Sequence, residues 1–179
     1  MNQSQPVLYG ELFKWALNYG LFMGLIGVTG FFFTNSMDPQ SWPARIISWL
    51  TYLGAAFVVY FAIKNYKQAT GNLTFTQGFV LAFFISVISA IAITAVVLLY
   101  YYVLNPEALE KLFVKQEERL KLQEGITPEK VQSTMELTRK FFPYLIFAGS
   151  MAGQLFIGLL TGMATAFILR DQETIAAKR

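Results

Sequence analysis

A chain of 179 residues in which 55% are hydrophobic and only 14% charged falls well short of the roughly 25% charge of an ordinary soluble domain, and a deficit of that size points to lipid. It contains neither cysteine nor histidine, which removes disulfides, thiolate nucleophiles, zinc sites, histidine-ligated haem and serine–histidine–aspartate chemistry together, because each needs a missing residue type. The net charge of +3 comes from basic residues at the ends of apolar runs, with no block able to follow a phosphate backbone, so nucleic acid is excluded as a partner.

In chain order, the opening Met1 to Pro6 carries no basic residue, and no small-residue cleavage site follows the first apolar run. That run is therefore expected to remain in the mature protein. A helix needs about 20 mostly apolar residues to cross the hydrocarbon core, and four stretches supply them. They run from about Leu12 to Thr34, about Ala44 to Ile63, about Gly78 to Leu104 and about Phe141 to Leu169. The expected fold is one all-α integral membrane domain with four transmembrane helices and a water-exposed helical hairpin between the third and fourth.

The first span presents Gly20, Gly24 and Gly27 within one narrow face, and small residues let helix backbones approach in lipid. The turn formers from Asn35 to Pro43, among them Asp38, Pro39 and Ser41, then predict a tight hairpin. A second connection is expected from Lys64 to Gln77, turning at Thr70-Gly71-Asn72. In the third span Ala82, Ser86, Ala90 and Thr94 repeat every four residues. The fourth holds Gly149 with Gly153 and Gly158 with Gly162, pairs that fall on nearly opposite sides at about 100° per residue. The last helix is expected either to be sandwiched centrally or to offer one face to another subunit.

Trp15, Trp42, Trp49, Tyr66, Tyr100 to Tyr102 and Tyr144 fall near the span ends, as an aromatic belt at the headgroup layer requires. An even number of spans puts both termini on one side. The raw count of basic residues, eight on the loop side against six on the terminal side, favours termini outside. The loop's cations, however, are interleaved with seven glutamates in a folded segment, whereas Lys64 and Lys67 form an uncompensated stop beside a span. Cytoplasmic termini follow from that local signal.

Residues 105 to 140 are the one long polar segment. Asn105-Pro106 suits a cap and first helical position, and Leu109, Leu112, Phe113 and Leu120 recur on one side. Gly125 suits a left-handed stop, Thr127-Pro128-Glu129 restarts a helix, and Val131, Met135, Thr138 and Phe142 line it. Glu107 with Lys111, Glu117 with Lys121 and Glu136 with Lys140 are spaced as ion pairs along a solvated face. Pro143 is expected to kink or restart the chain as it enters the last span.

No strong charge sits in the middle of any span, where proton-coupled transporters usually keep one. The intramembrane polar residues are Asn18 and Gln154, for which hydrogen bonding between helices is a sufficient account. No phosphate-cradling loop or paired intramembrane carboxylate is present, so the chain is expected to be no enzyme and to need no cofactor or metal. The expected role is a non-catalytic accessory or scaffold subunit that associates with another membrane protein or with itself. The alternative is a small homo-oligomeric transporter or channel for a lipid-linked or neutral solute.

Ile63-Lys64-Asn65-Tyr66 leads to Gly71-Asn72-Leu73-Thr74-Phe75-Thr76-Gln77-Gly78-Phe79 before the third span. Leu104-Asn105-Pro106 follows that span, and a glycine-rich last span ends Ala166-Phe167-Ile168-Leu169-Arg170. In these features the chain resembles the bacterial four-span membrane proteins grouped as domain of unknown function 4199. The resemblance covers almost the whole chain. It implies the four-span fold and a bacterial inner-membrane address, carries no known activity or functional residue, and suggests an accessory role beside a membrane-linked glycosyltransferase. Read from the residues alone, Gly71 permits the turn, Phe75 and Phe79 anchor the start of the third helix at the interface, and Gln77 either caps backbone or binds.

Overall fold

A computed structural model describes residues 9–38, 41–123 and 126–170. The expected stop at Gly125 and both chain ends, with Lys178 and Arg179, lie outside the described residues. The described chain is all-α: α1 (Tyr9–Asn35), α2 (Trp42–Thr70), α3 (Phe75–Leu99) continuing into a π-helical turn (Tyr100–Leu104), α4 (Pro106–Lys121) and α5 (Pro128–Leu169). Four helices, α1, α2, α3 with its π-turn, and α5, are long and apolar enough to cross a membrane, and α4 lies between the third and fourth spans.

Local chemistry sets the boundaries. Ser41 caps α2, its hydroxyl accepting from Ala44 N, and Pro43 pre-sets the first turn. α2 ends at Gly71, whose φ of 76° is the left-handed conformation that glycine adopts without steric cost, and its N–H donates to Lys67 O at 2.9 Å. Thr74 and Gln77 then form a reciprocal capping box at 3.2 and 2.9 Å. Asn105 caps α4 and Thr127 caps α5, each followed by proline. The chain from Lys64 to Gln77 is therefore not one loop: α2 carries Lys64, Asn65, Tyr66 and Lys67 on to Thr70. It does so because apolar packing continues there, with Ile63 and Tyr66 both buried.

α5 is the largest departure from expectation. It runs unbroken through Pro143 for 42 residues, about 63 Å at 1.5 Å per residue, roughly twice the hydrocarbon thickness. Proline removes one donor and crowds the carbonyl of Arg139 four residues back. The neighbouring Phe142 is buried against Tyr101 and Phe113, and this packing holds the helix on both sides of the proline. One element therefore serves both as the second arm of the hairpin and as the fourth span.

The spans contact in a ring, α1 to α2, α2 to α5, α5 to α3 and α3 to α1, with α3 also touching α2. α3 is the most enclosed, with 50% of its apolar window buried against 28% or less for the others. Of the two places expected for the fourth helix, central or with one face free for another subunit, the central one belongs to α3, whose Ala82, Ser86, Ser89 and Ala90 are all fully buried. One core joins Met23, Val59, Ile63, Leu81 and Ile85 within the spans, and a second joins Val97 and Tyr101 to Leu109, Phe113, Val131, Met135 and Phe142. The second core runs out of the membrane into the hairpin.

Candidate functional site

The candidate packing residues separate into two groups. A methyl group placed on Gly20 would lie 2.8 Å from Ile88 Cβ, and on Gly24 3.0 Å from Ala92 Cβ, while on Gly27 it would collide with Ile93. α1 thus lays its glycine face on α3. On α5, Gly158 abuts Ser86 and Gly162 abuts Ala82. Gly149 and Gly153 have open space where a side chain would stand, and both are exposed. Of the two polar candidates, Gln154 is half-buried and its Oε1 accepts from Ser89 Oγ at 3.4 Å, while its amide nitrogen reaches toward Gly27. Asn18 differs from expectation: it is exposed on α1 and its side chain makes no hydrogen bond between helices among the described residues. It sits one turn beyond the exposed Lys14.

At the terminal end of the bundle, the residues quoted for the family resemblance have structural work. Asn65 Nδ2 donates to Tyr19 Oη at 2.8 Å, and Tyr66 meets Trp15 edge-on. Leu73 is buried, and Gly78 brings α3 against Ala166 of α5, where a methyl group would lie 2.6 Å from the alanine's. Gln77 caps backbone.

At the opposite end, polar and aromatic groups knit α1, α3, α4 and α5 together. Asn35 Nδ2 and Asn105 Nδ2 both donate to Tyr100 Oη, at 3.3 and 3.1 Å, and Tyr101 Oη donates to Asn35 Oδ1 at 3.0 Å. Asn105 also donates its backbone N–H to Tyr100 O at 2.7 Å, closing the π-turn, and accepts from Ala108 N at 3.1 Å. The wider turn sends Tyr101 inward, where it is buried, and leaves Tyr102 exposed. Rings then follow one another at edge-to-face spacings of 5.3–5.8 Å: Phe31 on Tyr101, Tyr101 on Phe142, Phe142 on Phe113. Arg139 completes the series, its guanidinium 4.7 Å from the Phe113 centroid and forked onto Glu110 through two 3.0 Å bonds.

Beyond this junction α4 and α5 run antiparallel and leave an open cleft of about 560 Å³. Its floor is Ile126, Pro128, Val131 and Met135; its rim is Glu117, Lys121, Gln132, Glu136 and Arg139. Of the three ion pairs spaced along the helices, Glu117 with Lys121 closes, at 2.6 Å. Among the described residues Glu107 with Lys111 and Glu136 with Lys140 do not, and Glu136 accepts from Gln132 instead. The hydrogen bond from Lys121, aided by its charge, holds the Glu117 carboxyl below the usual carboxylate range. Sequence reading misses the Arg139–Glu110 fork, because residues so far apart meet only once the hairpin register is known. Among the described residues no group of three acidic side chains converges as metal ligands would.

The site is thus an amphipathic cleft on a projecting hairpin, tied to the membrane bundle through a π-turn and one continuous helix. The model of one protein family, described as protein of unknown function (DUF4199), matches residues 18–171. No curated protein and no solved structure matches the chain.

Proposed function

The chain belongs to the DUF4199 family, and from that premise we propose that it is a non-catalytic accessory subunit of the bacterial inner membrane, with cytoplasmic termini, that presents its α4–α5 hairpin to a partner protein on the other side. The observation that carries this reading is the cleft: apolar floor, charged rim, and a size within the range of recognition pockets. Two helices with a cleft between them suit a third, amphipathic helix laid across the accessible Ile126 and Pro128, with Val131 and Met135 buried beneath. A membrane-linked glycosyltransferase is the partner class that the family resemblance favours.

The test is co-purification of the full chain in mild detergent. A stoichiometric partner is expected with the native protein and is lost in Gln132→Arg/Glu136→Arg, which alters the exposed rim and leaves the buried stripe intact. Partner-free native protein, or a partner retained by the variant, counts against the proposal. The transporter alternative draws less support, since Gln154 is engaged with Ser89 between helices.

A further inference from the structure

Several exposed cations of this protein face a carboxylate. Lys14 lies 3.3 Å from Glu11, Lys121 2.6 Å from Glu117 and Arg139 3.0 Å from Glu110. Near the corner where α2 and α5 both end, Lys64 and Arg170 are placed differently. Lys64 and Lys67 are three residues apart on adjoining faces of α2. Lys67 Nζ donates to Leu169 O at 2.6 Å, at the last turn of α5. That contact fixes Arg170 beside the same corner.

Among the described residues, neither Lys64 nor Arg170 has a carboxylate within 4.0 Å. Each instead lies over an aromatic ring of its own helix. Lys64 Nζ is 6.0 Å from the Tyr60 centroid, and the Arg170 guanidinium carbon is 4.2 Å from that of Phe167. Tyr60 and Phe167 are exposed on the lipid-facing surface, as are Phe61 and Ile168. Cations set above a strip of lipid-facing rings and aliphatic side chains match the two halves of a phospholipid, phosphate against the cations and acyl chains along the strip. Lys64 and Arg170 are cations with no carboxylate partner among the described residues, so the headgroup that complements the two of them is anionic.

We propose that Lys64 and Arg170 hold the phosphate of an anionic phospholipid at the α2–α5 corner, selecting it over zwitterionic lipid, with Lys67 fixing the spacing of the two helix ends. The reading is independent of any partner at the hairpin. It is tested on the full chain in neutral detergent, offered phosphatidylglycerol and phosphatidylcholine in equal amounts, by native mass spectrometry. The native protein is expected to retain phosphatidylglycerol preferentially. Lys64→Gln and Arg170→Gln each lower that preference roughly fivefold, the effect of one cation near an anionic surface. The double variant is expected to abolish it. Lys115→Gln on the hairpin leaves it unchanged, and the charge-keeping Lys64→Arg/Arg170→Lys retains it. Equal retention of both lipids by the native chain overturns the proposal, as does a preference that survives the double variant. Displacement of the lipid by millimolar inorganic phosphate overturns the lipid assignment, since it marks a site for a soluble anion.

Discussion

Glycine does two different things in α5, and the difference is decided by what stands opposite. Gly158 and Gly162 face Ser86 and Ala82 of α3, where a side chain has no room. Gly149 and Gly153 face nothing within 4 Å. Alanine at Gly158 must push Ser86 aside, and Ser86 is fully buried with its hydroxyl bonded to Ala82 O at 2.8 Å, so it cannot yield cheaply. Overpacking of this kind costs about 1–3 kcal/mol. Gly158→Ala is therefore expected to lower the thermal midpoint in detergent, and Gly149→Ala and Gly153→Ala to leave it within about 0.5 kcal/mol of native stability. A Gly158→Ala protein as stable as the native chain would mean that α3 and α5 are less closely apposed than described. Both glycine pairs are visible in the sequence, together with their opposite faces. Which pair is occupied is not, because that depends on where α3 lies.

At the scale of elements, the caps were the most legible features, since each is local. Asn105-Pro106, Thr127-Pro128 and the turn at Gly71 all mark real helix ends, and the stripes Leu109/Phe113 and Val131/Met135/Phe142 are buried where their spacing places them. The π-turn was not legible, because carbonyls four and five residues back compete for the same donors and neighbouring packing decides. Asn105 stands at that decision: it closes the π-turn, binds Tyr100 Oη and caps α4. Asn105→Ala removes the side-chain bonds but keeps the backbone one. The lost cap alone costs α4 about 0.5–2 kcal/mol. Hydrogen exchange is expected to show faster exchange at Ala108 and the first turn of α4, with protection in α3 around Ile85 unchanged. Uniform loss across both helices would show that the junction holds the whole bundle, not only the hairpin.

Over the whole molecule, the antiparallel ring of spans makes a geometric statement about sides. Ser36, after α1, and Gln123, after α4, lie at the end that carries the hairpin, and Asn72, between α2 and α3, lies at the end that carries Lys64, Lys67 and Arg170. The hairpin's charges largely balance, and one of its arginines is forked onto a glutamate, so it gives little retention signal. The Lys64, Lys67 and Arg170 corner gives a strong one, because cations beside a span and without described carboxylate partners at Lys64 and Arg170 resist transfer across the bilayer. Weighing the two by local structure and not by raw count predicts termini in the cytoplasm, and thiol labelling checks that prediction. The chain has no native cysteine, so a single introduced thiol reports without background. In intact cells whose outer barrier is permeable to the reagent, a membrane-impermeant maleimide is expected to label Ser36→Cys and Gln123→Cys alike. Asn72→Cys reacts only after the inner membrane is opened. Labelling of Ser36→Cys without Gln123→Cys would contradict the four-span topology itself, whereas the full reverse pattern would keep the fold and invert its orientation, moving the hairpin and its partner into the cytoplasm.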